Sequence, residues 1–335
     1  MPTIKDVARA AQVSVATVSR VLNQDKNVST QTREKVLAVV QEIGYVPNVL
    51  GRNLRKNTTD RVLVLIPSLS NQFLSGVIRG MESEARKLHL QVMISATHND
   101  PELERSYLEL LHNHSVDGMI LVGSTLPSEE LATLSQQYPL VMCSEWEEGI
   151  RISAVGIDNE RAGYDAVKTL LQSGRERIAM ISNQEMYSAR QRTQGYRRAL
   201  LEAGKPFCPE YLIERYEYTY RAGMLACGKL MALPEPPDAI FAVSDEIAAG
   251  VCKKLLQMGL YPGKEVAVFG FDNTTVSKIV TPSVSTVSQP KKKIGETALH
   301  LLAEKIENQK SPERTILLAH ELVLRESAPG KEKQR

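Results

Sequence analysis

Residues 3–23 read TIKDVARAAQVSVATVSRVLN. Ile4, Val7, Ala8 and Ala11 recur at helical spacing and mark one face of a first short helix. Thr3 stands at its N-cap with Asp6 three residues on, a weaker form of the capping box. Val13 fills a turn. Ser14 then suits the N-cap of a second helix, whose inner face is Val18, Val21 and Leu22. Val15, Ala16, Thr17, Ser19 and Arg20 are left pointing outward. An outward Val-Ala pair is odd in water and sensible in a DNA major groove. There apolar side chains meet thymine methyl groups and Arg reads guanine O6 and N7. Ser14, Thr17, Ser19 and Asn23 are short donors suited to phosphates. The pattern is that of a helix-turn-helix whose second helix enters the major groove of duplex DNA. On these residues alone, an ordinary amphipathic helical pair remains the bland alternative.

Outward from this stretch, Ser29 suits the cap of a third helix, Thr30 to Ile43, which ends at Gly44 with Pro47 just beyond. Residues 48–56, NVLGRNLRK, are basic, with Leu50 and Leu54 four apart. They hold too little apolar surface for a stable isolated helix. Residues 1–60 carry nine Lys/Arg and five Asp/Glu, a local +4, while the whole chain is +2 and the remainder therefore −2. A basic head on a slightly acidic body is the footprint of a DNA-binding module joined to something else.

With the helix-3 end IGYVPN (43–48) and the stretch GRNLRKNTT (51–59), residues 3–59 resemble the headpiece of the lactose/galactose repressor family. The resemblance implies that Val15, Ala16 and Arg20 read bases. It also implies that residues 48–56 form a hinge helix only on DNA, where Leu54 wedges into the minor groove at the centre of a palindrome. Gly51 stands where the family usually has Ala, which lowers helix propensity by roughly 1 kcal/mol.

The body alternates short apolar runs with helix-length amphipathic stretches. Runs such as Val62–Ile66 suit strands covered on both faces, and the alternation points to parallel sheets of βαβ units. Further strands are predicted at 91–95, 118–122, 140–144, 154–157, 177–181, 239–243, 266–270 and 284–287, with one long final strand at 316–324. The motif order resembles the same family's two-lobed core, of the type I periplasmic-binding-protein-like α/β class. In that fold the chain crosses between lobes three times and binds its ligand where both sheets point their strand C-termini. The chain thus divides into a helix-turn-helix headpiece (1–47), a hinge and linker (48–60), a two-lobed effector and dimerisation core (61–328) and a disordered tail (329–335).

The resemblance also implies site residues. Asp272, in Gly-Phe-Asp-Asn, would hold ligand hydroxyls, and Arg192 would be the ligand-binding arginine. Tyr218 would stack on a ring. Ser244 precedes Asp245 at a helix start, and Asp245 suits a cap or a ligand contact equally. Phe73 with Glu145 and Trp146 would close the site from the other lobe, although Trp146 also reads as core and Glu145 as a loop charge. Carboxylate, guanidinium and aromatic face suit a polyhydroxylated ring. Residues 117–127, the Glu185 to Tyr196 spacing, Gly51-Arg-Asn53 and residues 233–237 resemble the family's cytidine-repressor branch, which points to a nucleoside. Ser188-Ala-Arg190 resembles the sugar-binding branch, and Gln72 replaces the usual Pro before Phe73, so a sugar or sugar phosphate stays open.

Other classes fare worse. There is no dinucleotide-binding or Walker-type glycine loop and no nucleophile elbow. Cys143, Cys208, Cys227 and Cys252 lack metal or redox spacing and read as reduced cytoplasmic thiols, with no cofactor implied. His112 and His114, two apart, lie on different helix faces. No signal peptide and no apolar stretch of ~18 residues is found. The tail lacks the leucine heptad that in the resembled family adds a tetramer, so the resemblance implies a homodimer on a palindromic operator, expected in the cytoplasm with no membrane partner. The alternatives are an enzyme or soluble ligand-binding protein with an accessory nucleic-acid-binding head.

Overall fold

The structure, a computed structural model, describes residues 2–22, 25, 27–45, 58–147, 149–214 and 217–329. The expectations for Asn23, for the hinge with Gly51 and Leu54, and for the tail from 330 onward lie outside these residues. The chain forms two compact units, residues 1–59 and 60–335.

The first unit holds α1 (Ile4–Ala11), α2 (Val15–Leu22) and α3 (Thr30–Glu42). The caps follow the residue chemistry. Asp6 accepts the Thr3 backbone N–H at 2.9 Å, Ser14 accepts the Thr17 N–H at 3.0 Å, and Ser29 accepts the Thr32 N–H at 3.3 Å. Gln12 turns the chain after α1 in the left-handed conformation, φ 54°. Val7, Ala8, Ala11, Val18, Val21, Val36 and Tyr45 form a small closed core, with Ile4, Val13 and Leu22 packed against it.

The second unit contains two six-stranded sheets. In the first, β1 (Arg61–Ile66), β2 (Gln91–Ala96), β3 (Gly118–Leu121), β4 (Leu140–Cys143), β5 (Ser153–Ile157) and β11 (Thr315–Leu318) lie in the order β11-β5-β4-β3-β1-β2, all parallel. Period-two alternation explains why β1 is apolar from Val62 to Ile66, since both of its faces are covered. Val62, Val64 and Ile66 face the layer of α4 (Gln72–Leu88) and α12 (Lys291–Glu307). Leu63 and Leu65 face that of α5 (Pro101–His112) and α6 (Ser128–Gln137).

The second sheet comprises β6 (Ile178–Ile181), β7 (Leu212–Ile213), β8 (Ala239–Ala242), β9 (Ala267–Phe271), β10 (Ser285–Ser288) and β12 (Glu321–Val323), in the order β12-β10-β9-β8-β6-β7. Only β12 runs antiparallel, against β10. Around it lie α7 (Asn159–Gln172), α8 (Tyr187–Glu202), α9 (Tyr220–Met231), α10 (Asp245–Gln257) and the single turn α11 (Val276–Ile279).

The chain crosses between sheets three times, after Ile157, after Ser288 and after Leu318. The third crossing corrects the sequence expectation of one strand over 316–324. That run breaks at Ala319-His320, and its halves join different sheets. An apolar run records burial, not the sheet in which burial occurs. Helix α6 and the two-residue β7 were not anticipated. The first is short and mostly polar, SEELATLSQQ, and the second is too brief to show a period. No helix among the described residues is long and apolar enough to cross a membrane.

Candidate functional site

In the first unit, α2 sorts its residues by period. Val18 and Val21 are buried, while Val15 is 41% exposed and Ser14, Ala16 and Arg20 are also exposed. Thr17 and Ser19 are half-buried, and the Thr17 hydroxyl shares a 2.8 Å hydrogen bond with Ser14 Oγ. The exposed surface therefore offers an isopropyl and a methyl in the first turn of α2 and a guanidinium in the next.

In the second unit, a cavity of about 750 Å³ lies at the C-terminal tips of both sheets. It meets the first sheet at Pro67, Phe73, Val122, Ser144 and Glu145, and the second at Asn183, Arg192, Tyr218, Ser244, Asp272 and Gln289. This is where open α/β sheets leave a crevice, because successive connections run to opposite faces there. Six of the seven sequence-predicted effector residues come together in it: Phe73, Glu145, Arg192, Tyr218, Ser244 and Asp272. Trp146 instead lines an adjoining cavity of about 570 Å³.

Arg192 is locked before any ligand arrives. Helices α7 and α8 touch backbone to backbone: a Cβ on Gly163 would lie 2.5 Å from the Arg192 carbonyl oxygen, and one on Gly195 would lie 2.0 Å from that of Glu160. That approach brings Arg192 Nε to Asn159 Oδ1 at 3.0 Å, while Nη1 donates to the Val243 carbonyl at 2.9 Å. The guanidinium carbon lies 3.5 Å from the centroid of the buried Phe271 ring, a cation–π contact. Two of its three nitrogens are thus committed to protein. Nη2 donates to no described residue.

Asp272 is 8% exposed and sits at φ +100°, a conformation non-glycine residues rarely adopt. Its N–H pairs with the Val287 carbonyl at 2.8 Å, and Oδ1 accepts from Gln289 Nε2 at 2.7 Å. Lys291 Nζ donates to the Asp272 carbonyl and, at 2.9 Å, to that of Asn273. Burial raises the Asp272 carboxyl pKa, and Arg192, Gln289 and Lys291 pull it back. Two residues on, the Thr274 N–H and hydroxyl donate to Asp245 Oδ2 at 2.6 and 3.0 Å, and Thr286 Oγ1 donates to Asp245 Oδ1 at 2.6 Å. Asp245 is fully buried; burial and the neighbouring Asp272 charge push its carboxyl up to about 7. It braces the turn carrying Asp272, while Ser244 caps α10 by accepting the Ile247 N–H at 3.3 Å.

Tyr218 is half-buried and its hydroxyl is held neutral by burial. Phe73 is 6% exposed at the start of α4, where Asn71 Oδ1 accepts its N–H at 3.0 Å. Across the cleft, Glu145 Oε1 accepts the Ser188 N–H in the first turn of α8 at 2.8 Å, and burial raises its carboxyl pKa. Sequence reasoning missed Gln289, Asn159 and Lys291. Gln289 follows a strand and could have been found by the same strand-tip rule. Asn159 and Lys291 act through helix packing and leave no local signal.

A helix-turn-helix unit followed by two α/β lobes around a ligand-sized, pre-formed polar cleft defines a DNA-binding regulator that senses a small molecule. Residues 3–48 match "Bacterial regulatory proteins, lacI family", and residues 167–328 match "Periplasmic binding protein-like domain". The chain is 36% identical over 329 residues to the HTH-type transcriptional repressor CytR of Escherichia coli (strain K12), covering 97% of this chain and 96% of that protein. It is 36% identical to catabolite control protein A of Priestia megaterium, covering 97% and 98%. Among solved structures, the transcriptional regulator CelR in complex with cellobiose shares 30% identity and a TM-score of 0.74, over 98% of this chain and 100% of that one. The chain belongs to the lacI family of bacterial regulatory proteins.

Proposed function

We propose that the protein represses transcription by binding a palindromic operator as a homodimer, and that a polyhydroxylated ring compound, a nucleoside or a sugar, controls that binding from the cleft. One observation carries the effector reading: a buried carboxylate, Asp272, and a half-committed guanidinium, Arg192, line the same cavity as a neutral tyrosine ring, Tyr218. Opposed donors and acceptors beside an aromatic face grip ring hydroxyls. Phe73, Glu145 and Ser244 complete the walls. The nucleoside reading gains from the CytR relative, whose identity runs over nearly the whole chain. The sugar reading gains from the cellobiose-bound CelR.

On the DNA side, Val15, Ala16 and Arg20 meet bases, Ser14, Thr17, Ser19 and Asn23 meet phosphates, and Leu54 wedges the minor groove. Exposed Val15 and Arg20 on an otherwise well-packed α2 support this. The effector changes the angle between the lobes and biases the DNA-bound state against the free one, a coupling typically worth ~1–3 kcal/mol. Release from DNA is the expected sense. The protein works in the cytoplasm by binding, without a catalytic step or cofactor. Full-length repressor relatives on both sides speak against an enzyme with an accessory head.

The test has two parts. Selection of duplexes from a random pool returns a palindrome, bound with steep salt dependence. A thermal-shift screen of nucleosides and sugars finds a ligand that raises the melting temperature, since binding to the native state alone stabilises it. No palindromic preference at any salt concentration sinks the DNA reading. An effector bound as well by Asp272→Ala sinks the site.

A further inference from the structure

Trp146 lines a second cavity of about 570 Å³ that adjoins the first. The two share Pro67, Asn99, Glu145, Glu185 and Met186 as common walls. The second lies at the tips of β3 and β4 and against the first turn of α8, so both lobes contribute to it.

Its construction is specific. The floor is Ser124 and Thr125, which follow β3. Beneath them Glu104 is 1% exposed, and its carboxylate accepts the Ser124 hydroxyl, the Thr125 N–H at 3.0 Å and the Thr125 hydroxyl at 2.9 Å. A buried carboxylate is expensive unless well hydrogen-bonded. Here its bonds fix two neighbouring polar residues at a strand tip. One wall is the Trp146 indole, and a Cβ on Gly156 would fall 2.6 Å from its Cζ3. The glycine is what lets the ring seat against β5. The other lobe supplies Tyr187 and Arg190. The Arg190 guanidinium lies 5.2 Å from the Tyr187 ring centroid, and its Nη1 donates to the Gln184 and Glu185 carbonyls at 2.9 and 3.3 Å. Its Nη2 pairs with Glu147 across the lobes at 3.2 Å. Two aromatic residues from opposite lobes, with fixed polar groups around them, form a slot for a ring with polar edges.

We infer that this cavity is a second subsite for the effector. It takes a second ring joined to the polyhydroxylated ring held at Asp272 and Arg192, with Trp146 and Tyr187 as its walls. The inference rests on the first cavity being the effector site, as proposed above. A nucleobase and a second sugar share the required chemistry, a ring face with polar edge groups. A ligand spanning both cavities touches both lobes on each side of the Glu145–Ser188 bond, so its length sets how the lobes close.

The test uses the full chain and three ligand pairs: ribose against uridine, ribose against adenosine, and glucose against cellobiose. Trp146 is the chain's one tryptophan, so its fluorescence reports this cavity alone. In at least one pair, the two-ring member should bind at least tenfold more tightly than its single-ring counterpart, by calorimetry. It should also shield Trp146 from acrylamide quenching. Tyr187→Ala should weaken the two-ring member at least tenfold more than the single ring. A nucleoside pair behaving so assigns a nucleobase to the slot; the cellobiose pair assigns a second sugar. Two-ring binding that depends on Asp272, yet leaves quenching and Tyr187→Ala without effect, overturns the second subsite and keeps the cleft reading. Binding that ignores Asp272→Ala, or no binding in any pair, overturns both. The quenching measurement needs no variant and holds even if Tyr187→Ala fails to fold.

Discussion

Glu145 Oε1 accepts the backbone N–H of Ser188 at 2.8 Å, so a carboxylate at the tip of β4 caps a helix of the opposite lobe. The α8 N-cap residue, Met186, makes no side-chain cap bond of its own, and Glu145 supplies that missing acceptor. The two lobes are therefore joined across the cleft in part by a charge-assisted hydrogen bond, worth about 1.5–3 kcal/mol when removed. Glu145→Ala should weaken effector binding roughly tenfold, taking the lower end of that range. Glu145→Gln keeps an oxygen acceptor and should lose much less. Titration calorimetry on the two variants checks the difference, and equal losses would contradict the role.

Asp272 sits at φ +100°, and Asn tolerates positive φ better than Ala. Asp272→Asn should leave the melting temperature close to wild type while effector affinity falls about 10- to 100-fold, the usual effect of losing one charged hydrogen-bond partner. Asp272→Ala should lose affinity and stability together. Parallel melting and binding curves separate the two effects.

The Asp245 carboxyl is pushed up to about 7 by burial first and by Asp272 second. The folded chain thus holds a proton that the unfolded chain, with a carboxyl near roughly 4, has released. Stability from this group is full below that lower value and is lost as pH rises towards about 7. Across this window the group's contribution falls by up to about 1.4 kcal/mol per pH unit. Asp245→Asn, which keeps an acceptor for the Thr274 N–H, should flatten that part of the stability profile. Denaturant melts from pH 4.5 to 8, a range set by roughly these two values, compare the slopes.

Helix contact also has a clear test. A Cβ on Gly80 would lie 2.0 Å from the Lys292 carbonyl oxygen, where α4 and α12 meet. Gly80→Ala should destabilise the core by about 2–3 kcal/mol through overpacking. At Gly204, φ +65° with no atom within 4 Å, alanine meets only backbone strain and should lose about 1 kcal/mol. Urea denaturation of both variants gives the ranking.

On the DNA side, Arg20 is exposed and Val18 is fully buried, two residues apart on α2. Arg20→Ala should cost about 1–3 kcal/mol of operator affinity and relax specificity at one base pair, with no change in melting. Val18→Ala should lower headpiece stability instead. Anisotropy titrations on the selected operator and its single-base variants, paired with thermal melts, tell the two apart.

Much of this was legible in the sequence because it is local. Ser14 and Ser29 cap the helices they precede, and the apolar runs became strands because an all-apolar run suits a sheet covered on both faces. The order of motifs placed those strands in two lobes. Phe73, Glu145, Ser244 and Asp272, named as site residues from the sequence, all line the cleft.

What only the tertiary structure decided depends on contacts between distant residues. Asp245 offered a cap or a ligand contact by sequence; Ser244 holds the cap, and the Asp245 carboxylate, which lines the cleft, also braces Thr274 and Thr286, 29 and 41 residues away. Trp146 sits beside Glu145 in the chain, yet Glu145 lines both cavities and Trp146 only the second, because Gly156 opens a seat for the indole that no local pattern announces. The run 316–324 shows its own burial but not the two sheets that share it. Sequence fixes local conformation and apolar faces through short-range sterics and hydration. Which distant polar side chains meet is set by backbone approach, as at the glycines where α7 and α8 touch and bring Asn159 to Arg192, and that exists only once the chain has folded.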